Sequence, residues 1–328
     1  MLAITLSYAV QQRFTIPSNV NSHAVLPVRA QTRPAPAAAG MGGVVTRVSV
    51  VTVCLNAAAT IADTMDSVAA QEGCRIEHLV IDGGSDDGTA QLVAARKPHY
   101  FVSEPDGGIY PAMQKGALAA TGDVVFFLNS GDTFHDDRVV SDVVAFFNRT
   151  GCDAVFGNLL PCYRSAGDSH DHRAFKAGKL LDLSYFNNRR LFYDESIHHQ
   201  TIFYRRAIFD VCGFICADPR ANGEYHLNMC AFVGRGLTVK HLPRPICRFA
   251  LGGTSTADFT AEWRRFKQAR EVLRGLYFPD GADIPIAGEH EYLHFRPDWR
   301  TRAKIRLRKS RWHGVLSRAR DIRDRLLP

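Results

Sequence analysis

Nowhere in this 328-residue chain do apolar residues run unbroken for the ~18 positions that a membrane-crossing helix requires. No C-x-x-C pair occurs among its eight cysteines (Cys54, Cys74, Cys152, Cys162, Cys212, Cys216, Cys230 and Cys247), so a structural zinc framework is not expected. Several of these cysteines lie inside apolar runs, where a thiol behaves as a small hydrophobe, and the expectation is reduced thiols in a cytosolic protein. The N-terminal apolar stretch from Leu2 to Val10 has no preceding basic residues, unlike a secretory signal. No internal repeat is present, and residues 1 to 44 show no sustained periodicity. Their segment from Arg33 to Gly43 is rich in Pro, Ala and Gly, a linker composition, and the expectation for residues 1–44 is a disordered extension.

Apolar residues make up 46% of the chain and charged residues 22%, enough of the former to bury a real core. The net charge of +7 would suggest a nucleic-acid partner if it were spread evenly. It is not. Residues 296–328 carry twelve Lys/Arg and three Asp/Glu, a surplus of nine, so the other 295 residues sum to −2. Nucleic acid is therefore not the expected partner of the body. The tail is expected to be a basic amphipathic helix, with Ile305, Trp312, Leu316, Ala319, Ile322 and Leu326 on one face, suited to an anionic membrane surface. Peripheral contact with the inner face of the cell membrane is the corresponding expectation. A basic interaction module acting on membrane or RNA through this tail is the competing reading, although RNA-stacking modules are absent.

Order is expected to begin at residue 45. Val48 to Val53 is a β-branched run typical of a buried parallel strand. A helix from Thr60 to Ala70, a strand from Glu77 to Ile81, a helix through Ala90 to Ala95, a strand from Tyr100 to Ser103, a helix from Ile109 to Ala120 and a strand from Val124 to Leu128 follow. This alternation predicts an α/β fold with a doubly wound, Rossmann-like sheet, whose ligands bind beyond the carboxyl ends of the strands. Beyond Asp132 the pattern is less regular. Helices are expected over Asp137–Asn148, Arg206–Cys212, Glu224–Val233 and Thr260–Leu276, and strands over Ala154–Asn158 and Gln200–Tyr204.

Four polar clusters fall where ligands would bind. In the first, Asp82 to Thr89, a carboxylate at Asp82 can accept from a pyrimidine N–H, while Ser85, Asp87 and Thr89 can either touch a nucleotide or cap the next helix. In the second, Ser103 to Gly116, acidic and hydroxyl groups precede a helix whose first turn can face an anion. There Lys115 is either a phosphate contact or an ordinary exposed lysine. The third, Asn129-Ser130-Gly131-Asp132, spells a turn, but its place after a buried strand suits a carboxylate ligand for Mg²⁺ or Mn²⁺. The fourth, Asn222 to His226, offers Glu224 as a general base. His199 upstream is either structural or part of the site, and Leu251 to Ser255 forms a polar loop.

In this order the clusters resemble the inverting family-2 glycosyltransferases, particularly the bacterial branch that builds exopolysaccharides, capsules and glycolipids. The matching segments are SVVTVCLN (49–56), VIDGGSDDGT (80–89), SEPDGGIYPAMQKG (103–116), GDVVFFLNSGD (122–132), HHQTIFYRR (198–206), NGEYHLNM (222–229) and LGGTS (251–255). The resemblance implies a GT-A fold, with a donor half over about 45–135 and an acceptor half over about 136–295. It implies a nucleotide-sugar donor, a divalent metal and a saccharide or lipid-linked acceptor. By position, Thr52 and Asp82 resemble base contacts, and Asn56, Glu104, Asp106, Tyr110, Lys115 and Asn129 fall in the donor-side segments. Asp132 resembles the last acid of the metal-binding motif and Glu224 the catalytic base; His199, Gly253 and Ser255 lie on the acceptor side. Two departures stand out. Gly131 replaces a second acid beside Asp132, and Glu224 after Gly223 replaces an Asp that commonly follows Ala, moving the carboxylate by about 1.5 Å. A nucleotidyltransferase is the remaining alternative, but Cys54-Leu55-Asn56-Ala57-Ala58 is not the glycine- and lysine-rich phosphate loop such chemistry usually requires.

Overall fold

A computed structural model describes residues 43–163, 177–216, 218–252 and 259–279. Strand β1 (Arg47–Cys54) lies within an eight-stranded sheet. It pairs in parallel with β2 (Arg75–Asp82) on one side and β4 (Val124–Phe127) on the other. β3 (Tyr100–Ser103) adds in parallel to β2. Beyond β4 the sheet becomes mixed. β7 (Ile202–Arg205) runs antiparallel to both β4 and β6 (Ala154–Tyr163), β8 (Val239–Leu251) parallel to β6, and the two-residue β5 (Thr133–Phe134) antiparallel to β8. The strand order is therefore 3-2-1-4-7-6-8-5.

Side-chain alternation along the central strands divides the core between the two faces of the sheet. Val51, Phe127 and Tyr204 join one apolar cluster, while their neighbours Val50, Phe126 and Phe203 join another. The first face is covered by α3 (Ile109–Ala119). Gly116 lets this helix approach β1 so closely that a Cβ there would overlap Val51. The second face carries α4 (Val139–Thr150), whose Val139, Val140, Val143 and Phe147 are all buried. Each such side chain contributes about 1.5–3 kcal/mol when fully buried. The crossovers between the parallel strands use α1 (Ile61–Ala69), α2 (Thr89–Arg96) and α3.

The second half departs from the sequence expectations in specific ways. β6 continues five residues past the expected end, to Tyr163, because β8 pairs along its whole length. β8 itself was not expected. Its run VKHLPRPICRFAL contains two prolines and three basic residues, so no alternation marks it. The helix expected over Arg206–Cys212 shrinks to α5 (Ile208–Val211). The helix expected over Glu224–Val233 starts as α6 (Glu224–Asn228) and widens to a π-helical turn over Met229–Gly234. The long helix α7 (Phe259–Tyr277) forms as expected, with Ala269 and Leu273 buried.

One expectation is corrected outright: Cys212 and Cys230 form a disulfide, with Cα atoms 6.0 Å apart. The end of α5 and the start of the π-helical turn bring them together across 18 residues, a proximity that no local spacing encodes. The other six cysteines are free thiols. Among the described residues no helix is long and apolar enough to cross a membrane. The extension over residues 1–42, Gly253, Ser255 and the basic tail lie outside the described residues.

Candidate active site

The carboxyl ends of β1 to β4 open onto one side of the sheet, and the polar clusters gather there. Register does the first part of this work. Cys54 is level with Asp82, and Asp82 with Ser103. The loop after β1 is then stitched to the loop after β2 by backbone-to-side-chain bonds. Asn56 N–H donates to Ser85 Oγ (2.8 Å), Asp86 N–H to Asn56 Oδ1 (3.1 Å), Ala57 N–H to Thr89 Oγ1 (2.8 Å) and Ala58 N–H to Asp87 Oδ2 (2.9 Å). Ser85, Asp87 and Thr89 are thus mainly loop ties. Asp87 also accepts at Oδ1 from Thr89 N–H (3.0 Å), the first backbone donor of α2 after its Gly88 N-cap.

Asp82 is fully buried at the base of this cup. It accepts from Ser85 N–H (3.0 Å), from the Ser85 hydroxyl and from Ser103 Oγ (2.6 Å). Burial pushes its carboxyl up, but the hydroxyls of Ser103 and Ser85 and the Ser85 N–H outweigh burial and hold it below the usual value. Thr52, expected as a base contact, lies behind the cup instead. It is fully buried, with its hydroxyl 3.0 Å from Nε2 of His78, whose own imidazole burial holds down at about 4. Asp106 accepts from Gly108 N–H (2.8 Å) at the entry to α3. Lys115, a candidate phosphate contact, pairs with Glu104 at 2.6 Å, and both side chains are partly exposed.

Helix α3 also packs against the segment that leads into α6. Gln114 Oε1 accepts from Phe214 N–H (2.9 Å), Tyr110 stacks on the Phe214 ring with centroids 6.3 Å apart, and Gly223 N–H donates to Phe214 O (2.7 Å). From α6, His226 Nδ1 meets Gly213 O at 2.8 Å. Gly213 and Phe214 are where these contacts from α3 and α6 meet, and neither carried a sequence signal. Gln114, a polar residue inside a largely apolar helix, was the one available hint.

Gly223 sets the approach of Glu224. Its φ of +124° is a conformation that side-chain-bearing residues rarely adopt, and a Cβ there would lie 2.5 Å from Tyr110 Cζ. Gly223→Ala should therefore displace the Tyr110 ring and shift Glu224. We expect turnover to fall about 10–10²-fold, the scale of an ångström-sized misplacement, with the melting temperature lowered by only a few degrees. Adding Tyr110→Ala to that variant should restore part of the loss; steady-state kinetics on the pair checks both.

Glu224 is held from the 3₁₀ turn over His199–Thr201. Its Oε2 accepts from His199 N–H (3.0 Å) and also meets His199 Nδ1, while His199 Nε2 lies 2.8 Å from Asn129 Nδ2. Burial would push the Glu224 carboxyl up. The His199 ring, through the charge it carries when protonated and through its hydrogen bond, with smaller help from His198 and the His199 N–H, outweighs burial and holds it at about 2. The carboxylate therefore stays ionised throughout the neutral range.

Asp132 ends a turn that begins at Asn129, closed by Asp132 N–H donating to Asn129 O (3.0 Å). The residue is 4% exposed, and its Oδ1 accepts from Ala250 N–H at 2.8 Å, tying the end of β4 to β8. Among the described residues no group of three or more His, Cys, Asp and Glu is placed to hold a metal ion. A single strand-end carboxylate fits a hard cation that takes the rest of its oxygens from substrate phosphates and water, as Mg²⁺ commonly does. It does not fit a cage built by protein alone.

Residues 49–213 match the family model described as glycosyl transferase family 2. A PGL/p-HBAD biosynthesis glycosyltransferase from Mycobacterium bovis (strain BCG / Pasteur 1173P2) is 28% identical over 222 residues, covering 66% of this chain and 81% of that protein. The succinoglycan biosynthesis protein ExoO of Rhizobium meliloti (strain 1021) is 26% identical over 263 residues, covering 69% and 75%. Among solved structures, Staphylococcus aureus TarS 1–349 in complex with UDP-GlcNAc superposes with a TM-score of 0.52 at 18% identity, covering 75% of this chain and 70% of that one. The mannosyltransferase PcManGT from Pyrobaculum calidifontis, in complex with GDP-Man and Mn²⁺, gives 0.52 at 19% identity, covering 84% and 80%. The fold is that of the GT-A glycosyltransferases.

Proposed function

Because this chain belongs to glycosyl transferase family 2, and so is a glycosyltransferase, we propose that it transfers a sugar from a nucleotide-sugar to a hydroxyl of a saccharide or lipid-linked acceptor, inverting the anomeric carbon. The observation that carries this reading is the clamp on Glu224. Both ring and backbone of His199 engage Oε2, while Oε1 has no hydrogen-bond partner among the described residues. An acceptor hydroxyl meets Oε1, gives it its proton, and its oxygen bonds to the anomeric carbon as the bond to the nucleoside diphosphate breaks. The bonding pair leaves with the diphosphate. The sugar is approached from the face opposite its leaving group, hence inversion. The carboxylate of Asp132 is the residue proposed to hold Mg²⁺ or Mn²⁺, which supplies charge neutralisation of the diphosphate when bound. Most of the remaining acceleration comes from alignment and from preset hydrogen bonds.

The stitched loops after β1 and β2, with Asn56, Asp82 and Asp106, are proposed to form the nucleotide cup. The hydrogen bonds that tie the two loops together support this reading. A saccharide or lipid-linked acceptor is supported by relatives named for PGL/p-HBAD and succinoglycan biosynthesis. The basic surplus of residues 296–328 supports contact with an anionic membrane surface, where lipid-linked acceptors reside. Family membership removes the nucleotidyltransferase alternative.

A screen of UDP-, GDP- and dTDP-sugars by thermal shift, each with Mg²⁺, Mn²⁺ or chelator, tests the reading. One donor class should stabilise the protein by about 2.7 kcal/mol at a hundredfold excess over its dissociation constant, and much less in chelator. If no donor gives a metal-dependent shift or metal-dependent hydrolysis, the proposal fails.

A further inference from the structure

The side chains of Asn129, His199 and Glu224 form one chain of contacts from the end of β4 to the start of α6. We infer that His199 is a positioning residue for Glu224, kept as a neutral imidazole with its proton on Nδ1 by the amide of Asn129. The inference rests on the proposed role of Glu224 and adds a protonation state on which that role depends.

The argument is one of donors and acceptors. Oε2 of an ionised Glu224 can only accept, so the Nδ1 facing it carries a hydrogen. Asn129 Nδ2 can only donate, so the Nε2 facing it carries none. The two contacts together select one tautomer of a neutral ring. An imidazolium would place a second N–H against Nδ2 and would turn the Glu224 contact into a full ion pair, making the carboxylate a poorer proton acceptor. Asn129 Oδ1 is buried without a hydrogen-bond partner among the described residues. Rotating the amide would bring that oxygen to Nε2 and favour the cation, so the amide at position 129 and the proton count at His199 are coupled. His199 itself is only 7% exposed, which leaves little water to compete for either ring nitrogen. The other titratable groups acting on this pair are His198 beside it, Glu195 near His198, and Tyr204 of β7 near Glu224.

A carboxylate at position 129 should reverse the arrangement, since it can only accept and adds a negative charge beside the ring. Asn129→Asp is expected to move the acidic limb of the pH profile of kcat upward by about one unit or more, the usual effect of an opposite charge a few ångströms away. Turnover should recover at higher pH. Adding His199→Asn, whose amide nitrogen can replace Nδ1 as a donor but does not titrate, should erase that shift. Within an otherwise wild-type chain His199→Asn should keep turnover within about tenfold, whereas His199→Ala should lose about 10²-fold in kcat with little change in donor KM.

The full-length wild-type protein offers a direct measurement that needs no turnover. The ¹⁵N shifts of His199 at neutral pH should show a protonated Nδ1 and a bare Nε2. An imidazolium or an Nε2–H tautomer there overturns the inference, even if every Asn129 variant fails to fold. So does an Asn129→Asp limb that coincides with wild type, or a shift that survives His199→Asn. Absence of any transfer by the wild-type protein would instead reject the proposed function, leaving the NMR result to decide the tautomer alone.

Discussion

Glu224→Gln should lower transfer by about 10²–10⁴-fold, the range for loss of a general base, while the dissociation constant of the donor changes less than about twofold. The substitution is close to isosteric. A glutamine oxygen can still accept from the His199 N–H and from Nδ1, so the 3₁₀ turn and α6 should keep their places. What is lost is the ability to take a proton. Donor titration calorimetry beside a coupled transfer assay separates the two, and full turnover in this variant would remove Glu224 as the base. The same variant should change the acid side of the stability curve. The folded carboxyl is held at about 2, below its ordinary 4.5. A group lowered on folding contributes stability that is present above the unfolded value and is lost as pH falls through the folded one. The wild-type protein should therefore lose this contribution between about pH 5 and pH 2, and Glu224→Gln should flatten that part of the curve.

At Asp132 two variants are needed, because the side chain has two tasks. Its Oδ1 accepts from Ala250 N–H in a nearly closed environment. Asp132→Ala leaves that donor without its partner and should cost about 1–3 kcal/mol of stability as well as activity. Asp132→Asn keeps an acceptor there and should melt within a few degrees of wild type. Both should reduce metal-stimulated turnover by at least about 10²-fold, since removal of one preset electrostatic stabiliser commonly has that effect. With no second acid at Gly131, metal titrated alone should bind weakly to the wild-type protein and much more tightly with the donor diphosphate. Retention of the metal response by Asp132→Asn would place the ion elsewhere.

The sequence marks where the polar residues gather but not what each of them does. Asp82, Asn56, Asp106 and Asp132 follow apolar strands, and strand ends in a parallel sheet converge on one edge, so their common location was legible from pattern alone. Their individual tasks were not. Asp82 and Asp87 meet loop hydroxyls and amides, Lys115 meets Glu104, and Thr52 turns away to His78, all through partners on neighbouring strands or loops. β8 and the Cys212–Cys230 pair were illegible for the same reason: each depends on segments far apart in the chain, and neither leaves a periodic trace.

The sequence by itself determined the alternating first half, the family resemblance and the identity of Asp132 as a lone acid at the end of β4. Local polarity and period suffice for those, because a buried parallel strand and its crossover helix are each written within about twenty residues. Only the tertiary structure decided that Glu224 has a partner at His199, that His199 has one at Asn129, and that Tyr110 and Gly223 must fit against each other. Those contacts join residues from 25 to over 100 positions apart. Hydrogen-bond direction and steric fit exist only once the sheet has brought them within reach.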